Sequence, residues 1–338
     1  GVAAGALAYR AVSVKRVGDA DELAKRIVEE ARKEAQAQKK EILLQGQDDL
    51  FNQIDADLVV LAAAIEPDKS ARPLATMLTA MVMFFPALSV FLTRIITKEG
   101  FQGTSYIAPK NGARSIPYFL IGWFGPSVLT LIGAAVYFLI FPEKYDPGMG
   151  YLSTLMAAQG LEATPAIINA TAVSQFVSGI LLAPALNFIN CFGEEWGWRG
   201  YLLPKMLEKY KMLPTLLISG LIWGIWHAPI IALGHNYGTG YPGYPYLGIF
   251  AMCIFCIVLG IFFSYITIRT GSCLPAVLAH GSVNGFAAIG MLYTDGTVAE
   301  PLIGPTPTGI IGGCAFIVCA VIMMLLLVKK PEMAKKTA

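Results

Sequence analysis

Two adjacent glutamates, Glu194 and Glu195, stand directly after a long apolar run and are followed by Arg199. Ionisable groups are costly at membrane depth, so a carboxylate pair in this position indicates a functional site. In a helix, Glu195 and Arg199 are four residues apart and pair on one face, which leaves Glu194 about a quarter-turn away. We therefore expect Glu195 to be tied to Arg199 and Glu194 to stay free as a candidate general base. A solvated Glu-Glu pair at the start of an interfacial helix is the structural alternative.

Three histidines occur in the chain, and two of them, His227 and His280, lie inside apolar segments. Asn284 follows His280 by one helical turn and shares its face. Singly, such a histidine is more often a hydrogen-bonded core residue than a catalyst. Two of them with a glutamate pair favour one polar site in the interior of a helix bundle, because polar groups within a membrane tend to find one another. We expect His235, in the Gly/Tyr/Pro-rich loop 234–246, to be solvated and outside the site.

The composition is that of a membrane protein. The chain is 55% hydrophobic and 14% charged, with a mean hydropathy of +0.59, values that a soluble domain of 338 residues would not show. A net charge of +2 gives no indication of a nucleic-acid partner. The six cysteines fall in or at the ends of apolar segments, so we expect them to pack as small hydrophobes rather than to form disulfides or a metal cluster.

The apolar segments beyond Pro67 each approach the roughly 20 residues that a bilayer requires. They predict spans at about Leu74–Thr97, Ile116–Phe141, Ile167–Cys191, Leu213–Leu233, Leu247–Ile268, Cys273–Tyr293 and Gly309–Val328. The shorter stretches Leu58–Ile65 and Tyr151–Ala158 would be interfacial or re-entrant. Prolines inside the spans predict kinks that frame a cavity. The predicted fold is all-α, a polytopic transmembrane helix bundle of about seven spans with an N-terminal charged helix.

Loop charge predicts the orientation of the bundle. The basic residues from Arg199 to Lys211, together with Lys98, Lys110, Arg269 and Lys329, lie in alternate connections, which the positive-inside rule places in the cytoplasm. The ten basic residues between Lys15 and Arg72 oppose this orientation. Residues 1–53 are therefore interpreted as an appended segment.

With these residues in view, the chain resembles the CPBP intramembrane proteases, the group that contains CAAX prenyl endopeptidases and bacterial self-immunity proteins. The resemblance covers about residues 70 to 330. That family's E-E-x-x-x-R, aromatic-x-x-x-His and H-x-x-x-N motifs match, in order, Glu194-Glu195…Arg199, Trp223…His227 and His280…Asn284. Trp223 stands where the family commonly has Phe, and we expect this difference to alter packing rather than chemistry.

The resemblance implies that Glu194 with His227 activates a water, and that His280 and Asn284 stabilise an oxyanion. Glu195 and Arg199 would be the supporting pair. Preorganised donors in a dry cavity are worth about 3–4 kcal/mol each in acyl transfer. We favour this mechanism without a cofactor, since no H-E-x-x-H fixes a metal. A Zn²⁺ held by Glu194, His227 and His280, with an open water position, is the alternative.

Two classes of function stay open from these residues. The first is an intramembrane endopeptidase acting on a peptide or membrane-protein substrate. The second is a non-catalytic membrane scaffold or bacteriocin self-immunity protein, in which the polar cluster is a structural network. Intact Glu, His and Asn residues in all three motifs favour the enzyme. Its expected partners are that substrate and the lipid bilayer, with no nucleic acid, and its expected location is a multi-pass one in the bacterial cytoplasmic membrane.

The first 53 residues differ in character from the rest. A short apolar start is followed by a helix with abundant i,i+4 acid-base pairs. This segment resembles the juxtamembrane helix of ribonuclease Y. The KH and HD domains that carry that family's RNA chemistry are not in this sequence, so the resemblance implies no nuclease activity, and a fusion or a misjoined gene model would explain it. The expected division is 1–53 appended segment, 54–72 linker, 73–330 protease domain and 331–338 basic cytoplasmic tail.

A protein that begins at Ile54 should insert, fold and cleave as the full chain does. The removed helix offers little apolar area for docking on the bundle, because its apolar stripe is limited to Leu23, Ile27, Ile42 and Leu43 among many charges. Membrane insertion and proteolysis of the two proteins, measured side by side, check this. A shortened protein that fails to fold, or that cleaves nothing the full chain cleaves, would make the N-terminal helix part of the enzyme.

Overall fold

The computed structural model describes residues 81–101, 106–295 and 300–329. The predicted charged helix, the linker, the apolar stretch Leu58–Ile65, the start of the first span and the basic tail lie outside these ranges. Every regular element in the described residues is helical. The predicted all-α class is confirmed for this part of the chain.

The α-helices of the described residues are α1 (Phe85–Thr97), α2 (Ile116–Ile140), α3 (Gly150–Ala158), α4 (Pro165–Leu181), α5 (Ala183–Leu186), α6 (Phe188–Glu195), α7 (Leu203–Leu207), α8 (Met212–Trp226), α9 (Ala228–Ile231), α10 (Tyr246–Thr270), α11 (Leu274–Phe286) and α12 (Cys314–Lys329). A π-helical segment, Trp196–Leu202, joins α6 to α7. Short 3₁₀ helices cover Gly112–Ser115, Pro142–Lys144 and Ala287–Tyr293.

Among the described residues, seven helices have the apolar character expected of a membrane protein. Three are long and apolar enough to cross a bilayer by length and composition, namely Gly112–Ile140, Tyr246–Thr270 and Leu274–Tyr293. The apolar helices α1, α4, α8 and α12 are shorter. Each of the seven overlaps one predicted span, which agrees with a polytopic helical membrane fold, while three of them have the length that a span requires. The stretch Tyr151–Ala158 forms the short helix α3.

Two predicted spans are interrupted where they were expected to be continuous. Residues 167–191 are divided among α4, α5 and α6, and residues 213–233 between α8 and α9. Pro184 and Pro229 lie in the first turns of α5 and α9, where the missing N–H is not needed but the preceding helix cannot continue. The second break follows Trp226 and puts His227 at the joint between two helices.

The centre of the bundle is α11, which is buried along almost its whole length. It packs against α2, α5, α6 and α10, while α8 packs along α10. The large side chains Trp223, Phe262 and Phe263 belong to the main apolar core. Exposed large hydrophobic side chains cover α1, α2, α8 and α12, as expected for a surface that faces lipid. The predicted burial of cysteines is confirmed for Cys191, Cys253, Cys256 and Cys273, and all six thiols are free.

Three helical segments that carry the sequence motifs approach their neighbours through Gly-x-x-x-Gly pairs. A Cβ added to Gly197 would lie 2.5 Å from Pro86 Cβ, and one added to Gly224 would lie 2.5 Å from Cys253 Cα. No real side chain fits at such distances. Small residues at this spacing let membrane helices contact through their backbones. The pairs and their neighbours are Gly193 and Gly197 against α1 and the residues before it, Gly220 and Gly224 against α10, and Gly281 and Gly285 against α5 and its flanks.

The loops that carry the basic residues lie at one end of the bundle. Lys205 Nζ lies 2.8 Å from Glu99 Oε2, and the Asn111 side chain donates to the Arg269 carbonyl at 2.9 Å. The hydrogen bond from Lys205, followed by the one from Tyr201, lowers the pKa of Glu99. The shared end agrees with the loop-charge pattern, in which these residues face the same side of the membrane.

Cysteine labelling tests that orientation directly. Lys209 and Thr239 are both exposed and lie in connections on opposite sides of the predicted membrane. A membrane-impermeant maleimide should label Lys209→Cys only from the cytoplasmic side and Thr239→Cys only from the outside. Labelling of Thr239→Cys from the cytoplasm would show that the predicted orientation is inverted.

Candidate active site

The glutamate pair lies in the last turn of α6 and is buried. Glu194 is 2% exposed and Glu195 is 0% exposed. The chain continues directly into the π-helical segment, which carries the buried Arg199. Single π-helical turns inside α-helices are frequent at functional sites.

Glu195 connects two side chains from different parts of the chain. Arg199 Nη1 lies 3.1 Å from Glu195 Oε1 and 3.0 Å from Oε2, the pair that the i,i+4 spacing predicts. His280 Nδ1 lies 2.9 Å from Oε1 of the same carboxylate. An ionised carboxylate only accepts, so His280 donates from Nδ1 and keeps Nε2 available. Glu195 therefore ties α6 to both the π-helical segment and α11.

Glu194 is held by two indole groups. Trp223 Nε1 donates to Glu194 Oε2 at 2.9 Å, and Trp198 Nε1 donates to the same oxygen at 3.3 Å. Both bonds end on Oε2, and within the described residues Oε1 accepts no hydrogen bond. The expectation that Glu194 stays free is therefore wrong for Oε2, which accepts from both indoles. The open oxygen, Oε1, is the one that can take a proton.

His227 joins the site through Trp223 rather than through Glu194. Its Nδ1 lies 2.8 Å from the Trp223 carbonyl oxygen. A carbonyl only accepts, so Nδ1 carries the proton and Nε2 of the neutral ring keeps its lone pair. Cys256 Sγ is 3.7 Å from the same Nδ1. His227 is thus oriented with a basic nitrogen free.

Trp223 is the residue around which the polar groups gather. Its ring centroid lies 5.7 Å from that of His227 and 5.6 Å from that of His280. The Arg199 guanidinium carbon lies 4.2 Å from the centroid of the Trp223 ring. Trp in place of Phe adds a hydrogen bond to Glu194 that a phenyl ring, which has no N–H, could not make, whereas the expectation that the chemistry is unaltered stays a prediction.

Asn284 and His235 differ in their relation to the site. Asn284 is exposed, and its Nδ2 donates to Cys191 Sγ at 3.6 Å, one turn before the glutamate pair on α6. It therefore lies at the α6–α11 contact and, within the described residues, makes no hydrogen bond to Glu194 or His280.

His235 is half-buried, and burial lowers its pKa, so the expectation that it is solvated is wrong.

The donor set for a metal is incomplete in the described residues. They contain no group of three His, Cys, Asp or Glu side chains that could hold a metal ion. His280 Nδ1 is occupied by Glu195 and His227 Nδ1 by the Trp223 carbonyl, which leaves one nitrogen on each ring. A metal-ligating histidine makes bonds of this kind with its second ring nitrogen, so these contacts fit both a site without a metal and the Zn²⁺ alternative, and the absence of a cofactor stays a prediction.

Trp198 was not predicted as a site residue, although the sequence contains a signal for it. It follows Glu194 by four residues, the spacing at which side chains meet on one helix face. The contact of Trp223 with Glu194 joins residues 29 positions apart on different helices, which no local spacing indicates.

Comparison with known proteins agrees with this architecture. The described residues form a helical membrane bundle with a buried polar centre, and residues 176–286 match the family described as Type II CAAX prenyl endopeptidase Rce1-like. All three sequence motifs fall inside the matched residues. The resemblance to the CAAX proteases is confirmed for residues 176–286, a shorter range than the predicted 70 to 330, and it supports an intramembrane protease at the level of the family.

The N-terminal segment has separate relatives. Residues 1–56 match the RNase Y N-terminal region. The chain is 71% identical over 49 residues to Ribonuclease Y of Lawsonia intracellularis, which is 14% of this chain and 9% of that protein. It is 66% identical over 47 residues to Ribonuclease Y of Oleidesulfovibrio alaskensis, again 14% of this chain and 9% of that protein. These curated relatives are matched over less than a tenth of their length, all of it near the start of this chain.

Replacing Arg199 should reveal the energetic importance of the buried pair. Arg199→Met leaves the Glu195 carboxylate buried with His280 alone and should lower the free energy of unfolding by about 3–5 kcal/mol. Adding Glu195→Gln should recover part of that loss, because the charge is then removed. Lys205→Met, which breaks the partly exposed pair with Glu99, is the control and should cost about 1 kcal/mol or less. Reversible unfolding in detergent measures all three, and a loss for Arg199→Met no larger than the control's would contradict the assignment.

Proposed function

We propose that this protein is an intramembrane endopeptidase in which Glu194, with His227, activates a water for attack on a peptide carbonyl. The observation that carries the proposal is the gathering of Glu194, His227 and His280 around Trp223 in the interior of the bundle. Each of these side chains is oriented by a hydrogen bond at one atom and keeps another atom open.

The chemistry follows from the open atoms. Glu194 Oε1 takes a proton from the water while the water oxygen bonds to the carbonyl carbon, which becomes tetrahedral. Collapse of this intermediate breaks the C–N bond, and the proton passes to the leaving amine nitrogen. His227 Nε2 is the second acceptor near the water and assists both transfers.

The oxyanion requires donors, and His280 and Asn284 are assigned to it. His280 donates from Nε2 when its ring carries both protons, and the Glu195 carboxylate at Nδ1 stabilises that imidazolium. Asn284 supplies its carboxamide from the exposed side of α11, where a peptide would approach. Donors fixed in advance cost no reorganisation when the charge develops.

A structural role for the cluster is the second candidate. Glu195 links α6, the π-helical segment and α11, which is what a non-catalytic scaffold or self-immunity protein would need from these residues. This function predicts a stable protein without proteolysis. The two candidates therefore differ in activity and agree in stability.

Substitution of the residues that carry these open atoms distinguishes the endopeptidase from the structural role. Glu194→Gln, His227→Ala and His280→Ala should each lower proteolysis by about 10²–10⁴-fold, as expected for loss of proton transfer or an oxyanion donor. Combined variants should be little worse than single ones, because the residues act as a unit. Comparison of peptides released in membranes holding wild type or Glu194→Gln measures this, with the exposed Glu143→Gln as the matched carboxylate control. Full activity in Glu194→Gln would reject the assignment.

The same assay distinguishes the two ways to activate the water. Without a metal, proteolysis should be unaffected by strong chelators. Chelator inactivation that zinc reverses, with stoichiometric zinc in the purified protein, would replace the glutamate-only mechanism by one with Zn²⁺ at Glu194, His227 and His280.

A further inference from the structure

Two indole N–H groups converge on one oxygen of Glu194. Trp223 reaches Oε2 from α8 and Trp198 reaches it from the π-helical segment, at 2.9 and 3.3 Å. Trp223 is 2% exposed, so its hydrogen bond has no competition from bulk water. The carboxylate is therefore clamped at one oxygen by neutral donors from two different elements.

We propose that Trp223, assisted by Trp198, is a positioning residue that fixes the Glu194 carboxylate and stabilises its negative charge, so that Oε1 faces the reacting water. This inference rests on the proposed endopeptidase function. A hydrogen bond that ends on an ionised acceptor is roughly twice as strong as a neutral one, so the clamp favours the form of Glu194 that can accept a proton.

The position of Arg199 strengthens the clamp. Its guanidinium lies over the face of the Trp223 ring, with Cζ 4.2 Å from the centroid. A cation on the ring face draws electron density from the indole and makes its N–H a better donor. Arg199 is itself paired with Glu195, so it can act on Glu194 through Trp223 while its own charge is balanced by the other glutamate.

Trp223 also orients the second base. Its carbonyl oxygen accepts from His227 Nδ1 at 2.8 Å, which fixes the tautomer with Nε2 unprotonated. The same residue thus places an open acceptor on Glu194 through its side chain and an open acceptor on His227 through its backbone. A substitution at Trp223 that keeps the helix alters the first of these and leaves the second in place.

The other ionisable groups near Glu194 are the same in every variant proposed below. Among the described residues they are Cys191 and Glu195 on α6, Arg199 in the π-helical segment, His280 on α11 and Cys256 on α10, together with His227, whose ring lies against that of Trp223. A change confined to an indole N–H therefore reports on the clamp rather than on these charges.

The decisive variant removes the N–H without changing the shape. Replacing Trp223 by β-(3-benzothienyl)alanine puts sulfur in place of the indole N–H, and Trp223→Phe removes the donor by ordinary mutagenesis. With a peptide that the wild type cleaves, the acid limb of kcat/KM should move to higher pH by about one unit, with kcat reduced and KM little changed. Trp198→Phe, which loses the longer bond, should give a smaller shift in the same direction.

Trp123→Phe is the matched control. Like Trp223→Phe, it removes an indole N–H. The Trp123 N–H, however, donates to the Ile180 carbonyl at 3.0 Å and not to Glu194. Its pH profile should equal that of the wild type. Equal thermal unfolding of the benzothienyl variant and the wild type shows that the fold is kept. An acid limb that does not move in a folded benzothienyl variant would overturn the proposal.

Indole NMR tests the contact without any activity. The chain has five tryptophans, so ¹⁵N-labelled tryptophan gives five Nε1–H signals, assigned by the Trp→Phe variants. Glu194→Gln should shift the signals of Trp223 and Trp198 and leave that of Trp123 in place. No response at Trp223 would overturn the positioning role. If the two signals respond but the wild type cleaves no peptide, the contact is supported and the proposed endopeptidase function fails instead.

Discussion

The bundle depends on the burial of one charged side chain, Glu195. A fully buried carboxylate is stable only if it is paired and hydrogen-bonded, and removal of one partner leaves an uncompensated charge. Arg199 supplies the charge from the next turn, and His280 supplies a second donor from a distant helix. The requirement to satisfy Glu195 therefore fixes α6, the π-helical segment and α11 relative to one another. Glu194, beside it in sequence, is held by neutral donors at Oε2, which leaves Oε1 as the atom on which the proposed function relies.

Close packing makes these contacts possible. Helices within a bilayer gain no hydrophobic driving force from meeting one another, so van der Waals contact and interhelical hydrogen bonds hold them together. The segments that carry Glu194 and Glu195, Trp223, and Asn284 each have these residues between the two glycines of a Gly-x-x-x-Gly pair. These glycines let the neighbouring helix backbone approach closely beside the polar side chains that bond from one helix to another. The glycines thus allow close helix packing and also bring the polar side chains within hydrogen-bonding distance. Their spacing can be seen in the sequence.

The two similarities of this chain concern different parts of it. The CAAX endopeptidase match at 176–286 covers every residue assigned to the site, whereas the ribonuclease Y matches fall at its start. Within the part that matches this family, the indole at Trp223 is the side chain that the polar groups share. It joins Glu194, Arg199 and both histidines, which a phenyl ring at the same position could do only by packing.

The sequence by itself determined the elements and the local pairs. Apolar run length located the seven apolar helices, and i,i+4 spacing predicted the pairing of Glu195 with Arg199, because a helix places such residues on one face. The same spacing contained the unrecognised contact between Glu194 and Trp198. Tertiary structure alone decided that His280 bonds Glu195 across 85 residues and that Trp223 bonds Glu194 across 29. The physical reason is that spacing fixes which side chains share a helix face, whereas the packing of helices, here set by glycine contacts and proline breaks, decides which faces meet.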